Sequence, residues 1–248
     1  MRNPIVIILA AGKGTRMQSN IPKVLHTLKH KTLIERVIST SSKLNPKKII
    51  IVIGHEKEKI KSNLKKYKDL EFVIQEEQKG TGHAVKMCFD NIKDENTDTI
   101  ILSGDVPLIS LETLKHLINK KNEVNASAIV LTSTLDNPDG YGRIIKNQEN
   151  QLKKITEHKD CNEKELEVNE INAGIYVFEN QTLIKFIPQL TNNNSQAEYY
   201  LPDAINLMIK KKHIVNTYKT NNIWEIKGIN DRQQLIELTN YLNTIEKK

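Results

Sequence analysis

The chain has 248 residues, 38% of them hydrophobic and 27% charged, with a formal net charge of +7. That length supports a full α/β core, and the two cysteines, Cys88 and Cys161, exclude a disulfide framework or a cysteine-rich zinc site and suit a reducing, cytoplasmic setting. The longest apolar run, residues 5–11, falls far short of the roughly 20 residues of a membrane span; with scattered lysines and only 5% aromatics, the surplus charge reads as a solvated surface, and neither a membrane nor a nucleic acid is expected as a partner.

In chain order, residues 4–10 form a continuous Ile/Val-rich run that predicts a fully buried strand, broken by Gly12 and Gly14. Helical spacing of Leu33, Ile34, Val37, Ile38 and Leu44 predicts a helix over 33–44. A second buried strand is predicted over 48–53, a charged helix over 57–67 and a shorter strand over 72–75. A helix over 84–89, a strand over 99–103, a helix over 111–121 capped by Ser110, and a strand over 126–132 follow. The alternation predicts a mainly parallel sheet. After dense turn chemistry at 136–142 the pattern changes: hairpin strands over 143–145 and 151–157, a strand over 171–178, a helix over 181–190, a polar loop over 191–196, a helix over 201–211 and a last strand over 214–218. Leu235, Leu238, Leu242 and Ile245 put an apolar stripe on a terminal helix.

Two stretches carry chemistry. Leu9-Ala10-Ala11-Gly12-Lys13-Gly14-Thr15-Arg16-Met17 directly follows a buried strand, and ligands of open α/β sheets sit at the carboxyl ends of strands. Small residues let backbone amides approach a phosphate or a base edge, and Lys13, Arg16 and the nearby Lys23 add positive charge. The Walker pattern and the third glycine of a dinucleotide fingerprint are both missing; the stretch reads as either an anion-binding loop or a tight strand–helix turn. Ser103-Gly104-Asp105-Val106-Pro107 places a carboxylate after another strand, a natural ligand for a hard divalent cation or a plain turn residue. His83 reads as packed or capping, Cys88 as core, and no nucleophile elbow supports a hydrolase.

These stretches resemble a known family when joined by Pro22-Lys23-Val24-Leu25-His26, Gln75, Gly80-Thr81-Gly82-His83-Ala84, Gly140-Tyr141-Gly142-Arg143-Ile144, Glu157-His158-Lys159-Asp160, Glu170-Ile171-Asn172, Thr191-Asn192-Asn193-Asn194, Glu198-Tyr199-Tyr200 and Gly228-Ile229-Asn230-Asp231-Arg232. Together they closely resemble the pyrophosphorylase domain of the bacterial N-acetylglucosamine-1-phosphate uridylyltransferases, within the nucleotide-diphospho-sugar transferase superfamily. The match runs in order from about residue 5 to 235.

The resemblance implies a single Rossmann-like α/β domain over residues 1–230, built on a mainly parallel mixed sheet with a smaller β-rich sugar-binding lobe, and a C-terminal helix over 231–248. It implies transfer of the uridylyl group of UTP to N-acetylglucosamine-1-phosphate, with one or two Mg²⁺ ions. On the matching positions, Leu9, Ala10, Ala11, Gly12, Gln75, Gly80, Thr81, Ser103 and Gly104 are expected around the uridine. Lys13 and Arg16 are expected on the β and γ phosphates, and Lys23 on the sugar phosphate or α-phosphate. Asp105 and Asn230 are the expected metal ligands, and Gly142, Glu157, Asn172 and Tyr200 the expected sugar ligands. Glu157 and Asn172 are expected on neighbouring strands. The family pattern departs at Ser103, Ala173, Pro202 and Lys227, where Tyr, Thr, Thr and Glu are usual. These departures bear mainly on the identity of the sugar. The competing readings are a uridylyltransferase for another hexosamine- or hexose-1-phosphate and a non-catalytic nucleotide-sugar sensor. No hexapeptide repeat of a left-handed β-helix is present, so neither acetyl transfer nor the family trimer is expected of this chain; a monomer or weak dimer is.

Overall fold

The computed structural model describes residues 3–245. The chain opens with β1 (Ile5–Ala10), the two-residue strands β2 (Thr27–Leu28) and β3 (Lys31–Thr32), α1 (Leu33–Ser42), β4 (Lys48–Ile53), α2 (Lys57–Leu64), β5 (Leu70–Ile74), α3 (Thr81–Met87), α4 (Phe89–Ile92) and β6 (Asp98–Ser103). It continues through α5 (Leu111–Glu123), β7 (Ala128–Thr134), β8 (Arg143–Lys146), β9 (Leu152–Thr156), α6 (Glu163–Leu166), β10 (Glu170–Glu179), α7 (Asn180–Phe186), α8 (Pro202–Lys210), β11 (Val215–Lys219) and α9 (Arg232–Ile245).

Among the described residues one mixed sheet has the order β11-β7-β10-β6-β1-β4-β5, with the β8–β9 hairpin hung on β10. β10 runs antiparallel to both β7 and β6, while the other pairings along that path are parallel. The sheet is covered on both faces because β1 is apolar at every position and its neighbours β4 and β6 carry continuous apolar runs, Ile49–Ile53 and Ile100–Leu102, as strands buried on two sides require. Val6 and Ile8 join Ile34, Val37 and Ile38 of α1, Ile60 and Leu64 of α2, and Leu114 and Leu117 of α5. Ile5 and Ile7 point the other way, onto Val85 and Cys88, Leu183 and Phe186 of α7, and Ile205 and Met208 of α8. The predicted smaller lobe is realised as that hairpin plus the loops around it, continuous with the main sheet.

Several predicted boundaries move for local reasons. The strand expected over 72–75 is Leu70–Ile74, and Gln75 lies just past it. The helix expected over 84–89 begins at Thr81, where the backbone N–H of Leu201 donates to Thr81 Oγ1 at 3.1 Å and Gly82 donates to Tyr199 O at 2.8 Å. The helix expected over 181–190 tightens after Phe186 into a 3-10 turn, Ile187–Gln189, with proline in its first turn. Ser110 caps α5 as expected, its hydroxyl accepting from Thr113 N at 3.0 Å. α1 carries an unforeseen capping box, Thr32 with Glu35. α9 packs Leu238 and Leu242 onto Met17, Leu28, Leu33 and Ile229, but Ile245 is exposed; the last turn has run past the surface that the stripe covers. Residues 246–248 of the helix predicted over 231–248 lie outside the described residues. No described helix is long and apolar enough to cross a membrane.

Candidate active site

The carboxyl ends of β1, β6 and β9 and the amino end of the antiparallel β10 open into one cleft with two lobes. The first, about 280 Å³, is lined by Leu9, Ala10, Ala11, Gly12, Gln75 and Gly80, with Lys23, Val24, Gln78, Ala84 and Glu198 also on its wall. The second, about 220 Å³, is lined by Tyr141, Gly142, Glu157, Asn172, Leu201 and Pro202, among others, with Gly228 and Asn230. Leu9, Thr81, Ser103 and Asp105 belong to both walls. The parallel strands deliver this geometry: β1 and β6 are direct neighbours, so the loops that follow them emerge side by side at one sheet end.

In the first lobe Gln75 is 3% exposed. Its Nε2 donates to Gly80 O at 3.1 Å and meets His83 Nδ1 at 3.1 Å. Partial burial, followed by the influence of Lys79 and Lys86, holds the His83 pKa below its ordinary value, so a neutral ring can accept at Nδ1. Both Nε2 hydrogens are then engaged, and Oε1 is left as the group offered to a ligand. His83 has a positioning part here that its sequence context concealed. Gln78 and Glu198 were also missed; only the folded chain brings them to the cleft.

At the junction of the lobes, the Lys23 ammonium donates to Asp105 Oδ2 and to Asn230 Oδ1, the latter at 3.0 Å. Ser103 Oγ donates to Asp105 Oδ1 at 2.6 Å. Two oxygen ligands 125 positions apart thus converge on a single cation, and the donor set, one carboxylate and one amide oxygen, is the oxygen chemistry that Mg²⁺ takes. The residues present therefore fit a hard divalent ion. The convergence is enforced by the main chain, since Ile229 N donates to Asp105 O at 2.9 Å. Gly14 holds the adjacent loop down: its φ is 61°, and a Cβ there would lie 2.6 Å from Lys23 Cβ, so only glycine lets the loop cross Lys23.

Several expected residues lie off the cleft wall. Lys13 and Arg16 are exposed and do not line the cleft; the loop turns outward after Gly12. Gly104 lies behind the wall, its N–H donating to Leu9 O at 2.9 Å, so it fixes β1 against the Asp105 loop. Tyr200 is buried away from the cleft with its hydroxyl accepting from Gln196 Nε2 at 2.8 Å, while the following Leu201 and Pro202 face the second lobe. Glu157 and Asn172 do not lie on neighbouring strands either: β8 stands between β9 and β10. Asn172 N donates to Gly142 O at 2.9 Å, and a Cβ on Gly142 would approach Glu157 Oε1 to 3.4 Å. Gly142 therefore sits between the Asn172 backbone and the Glu157 side chain, and both residues line the second lobe.

Asn172 is oriented in advance, with Nδ2 donating to Tyr176 Oη at 2.7 Å and Oδ1 accepting from Gly174 N at 3.1 Å. Each end keeps one further hydrogen-bonding site. Burial first, then Asp203, Asp160 and Glu198, push the Glu157 carboxyl up to about 7. The folded protein therefore keeps a proton that the unfolded chain loses from its ordinary value of 4.5 upward. The associated stability is complete at low pH and is lost as pH rises through about 7. Glu157→Gln should melt like the wild type near about pH 5 and higher than it near about pH 8. Thermal melts at the two pH values check this; an equal gap between the proteins at both would remove the assignment.

The sequence profile of the nucleotidyl transferase family matches residues 5–229. Bifunctional protein GlmU of Prochlorococcus marinus (strain NATL2A) is 45% identical over 237 residues, covering 96% of this chain and 52% of that protein. Bifunctional protein GlmU of Bacillus mycoides (strain KBAB4) is 43% identical over 235 residues, covering 95% and 51%. The chain thus spans about half the length of these relatives. A solved structure of UDP-glucose pyrophosphorylase complexed with UDP-glucose superposes with a TM-score of 0.77 at 20% identity, covering 98% of this chain and 99% of that one; that likeness is one of fold. With the profile running from the first strand to the residue before Asn230, the chain belongs to the nucleotidyl transferase family.

Proposed function

We propose that this chain transfers the uridylyl group of UTP to N-acetylglucosamine-1-phosphate, giving UDP-N-acetylglucosamine and pyrophosphate, with Mg²⁺ as cofactor. The observation that carries the reading is the continuous cleft, with a buried amide at one end, an amide and a carboxyl at the other, and the Asp105–Asn230 pair at the junction. The likeness to the GlmU relatives and the motifs shared with the uridylyltransferases support it.

Chemically, an oxygen of the sugar phosphate forms a bond to the α-phosphorus of UTP as the bond to the bridging oxygen of pyrophosphate breaks. The attacking oxygen is already anionic, so no proton has to be removed and no general base is required. Asp105 and Asn230 would hold Mg²⁺, which when bound neutralises phosphate charge and orients the reacting groups. Lys23 is placed between the lobes, where it can neutralise the phosphate of the incoming sugar. Arg16 and Lys13 are the cations available to the leaving pyrophosphate. The chain's own contribution is therefore positioning and electrostatics.

Substrate choice follows from the polar ends. Gln75 Oε1 accepts, uracil N3 is a donor and cytosine N3 an acceptor, so UTP should be favoured over CTP by about 10²-fold or more. Asn172 can pair with both ends of an acetamido group, and glucose-1-phosphate would leave those sites unpaired; a preference for the acetamido sugar of ~10²-fold or more is expected. Pyrophosphate release measured with UTP and CTP against a panel of sugar-1-phosphates tests both. Equal efficiency with the two sugars would end the acetamido role of Asn172, and no release with any uridine nucleotide would reject the activity.

A further inference from the structure

Arg143 opens β8, is 1% exposed and is among the largest fully buried side chains. A guanidinium keeps its charge at any ordinary pH, so burying it is costly unless a carboxylate compensates. The Asp139 carboxylate stands 4.0 Å from Nη2 and is itself 74% exposed, too far and too wet to do so. Nη1 instead donates to the carbonyls of Pro138, at 2.7 Å, and Tyr141. Nη2 meets His158 Nδ1 at 3.4 Å, and Nε has no partner among the described residues. Pro138 O also accepts from Tyr141 N at 3.1 Å, so the turn is closed on itself and clamped from within.

The partners belong to the two segments that supply facing residues of the second lobe, Tyr141 and Gly142 from one and Glu157 from the other. Pro138 and Tyr141 belong to the turn that carries Gly140 and Gly142, and His158 directly follows Glu157. A side chain needed only to fill this space would be apolar, since a buried cation without an ion pair gains little for stability. We propose that Arg143 is a positioning residue that sets the spacing between the 138–142 turn and Glu157, and through that spacing the affinity for the sugar-1-phosphate, without touching substrate. The proposal rests on the sugar-1-phosphate reading of this lobe.

Arg143→Met keeps most of the volume and removes the fork; Arg143→Lys keeps the charge but has no planar fork to span both partners. Both variants should raise KM for N-acetylglucosamine-1-phosphate by about tenfold or more while KM for UTP stays within about twofold, because a small misplacement acts on the sugar alone. Amide hydrogen exchange should quicken at 138–142 and 157–160 in both, and stay unchanged at 10–14. Equal movement of both KM values, or no movement in a folded variant, overturns the proposal, as does full rescue of the sugar KM by lysine. If Arg143→Met does not fold, Arg143→Lys carries the test. If the wild type fails to turn over this substrate pair, the functional reading fails instead, and the exchange pattern alone decides whether Arg143 holds the two segments together.

Discussion

Arg16→Ala is expected to lower turnover by about 10³-fold while leaving the melting temperature unchanged. Arg16 is exposed and outside the cleft wall, so the fold loses almost nothing when it goes; surface charges contribute at most about 1 kcal/mol. The activity loss has a different origin. If the residue meets charge that develops on departing pyrophosphate, removing it takes away charge-assisted hydrogen bonds used chiefly in the transition state. Lysine at this position should rescue partly, because it lacks the planar fork. Steady-state kinetics alongside thermal melts check the pairing. A change confined to the apparent affinity for UTP would show that Arg16 binds substrate uniformly and has no part in the leaving step.

Asp105→Asn should cost roughly 10²-fold or more in turnover at saturating Mg²⁺. The substitution keeps the shape and can still accept from Ser103, but it removes the one carboxylate in the junction that faces Lys23 and Asn230. Two effects then act together: a divalent ion loses its only anionic protein ligand of the pair, and the Lys23 ammonium loses its tether and its counter-charge. Titration of Mn²⁺ binding in the presence of UTP separates them. Weakened metal binding is the expected result, and near-normal turnover would sink the assignment of Asp105.

How much of this was legible beforehand depends on the range of the interactions. The continuous Ile/Val run before Gly12 announced β1 and the loop on which the first lobe is built. Asp105 is legible as a cation ligand from its place after a buried strand, but Asn230 only through the family resemblance, because nothing local to residue 230 says that its amide will reach a carboxylate 125 positions earlier. The start of helix α3 is expected three residues late because Thr81 is held by a bond from far along the chain, Leu201 N to Thr81 Oγ1. The strands β2 and β3 were invisible, two residues each and held by their own pairing. Tyr200 was misplaced by one residue: the turn after it presents Leu201 and Pro202 to the lobe and hides the ring. Arg143 could be seen as a motif member, but its burial without a carboxylate is a property of the fold alone.

The bond from Ile229 N to Asp105 O has a consequence for synthesis. A chain emerging from the ribosome completes β1, β4 and β6 long before residue 229 leaves the exit tunnel. Throughout that interval Asp105 and Lys23 can meet, but Asn230 cannot join them, and the Arg232 guanidinium, which in the finished protein donates to Met17 O at 3.2 Å and Gln18 O at 2.9 Å, cannot latch the glycine loop. The Asp105–Asn230 pair and the loop latch can therefore form only after every strand of the sheet has been synthesised. Removing residues 229–245 after a cut between residues 220 and 228 should abolish both contacts together while the central strands stay paired.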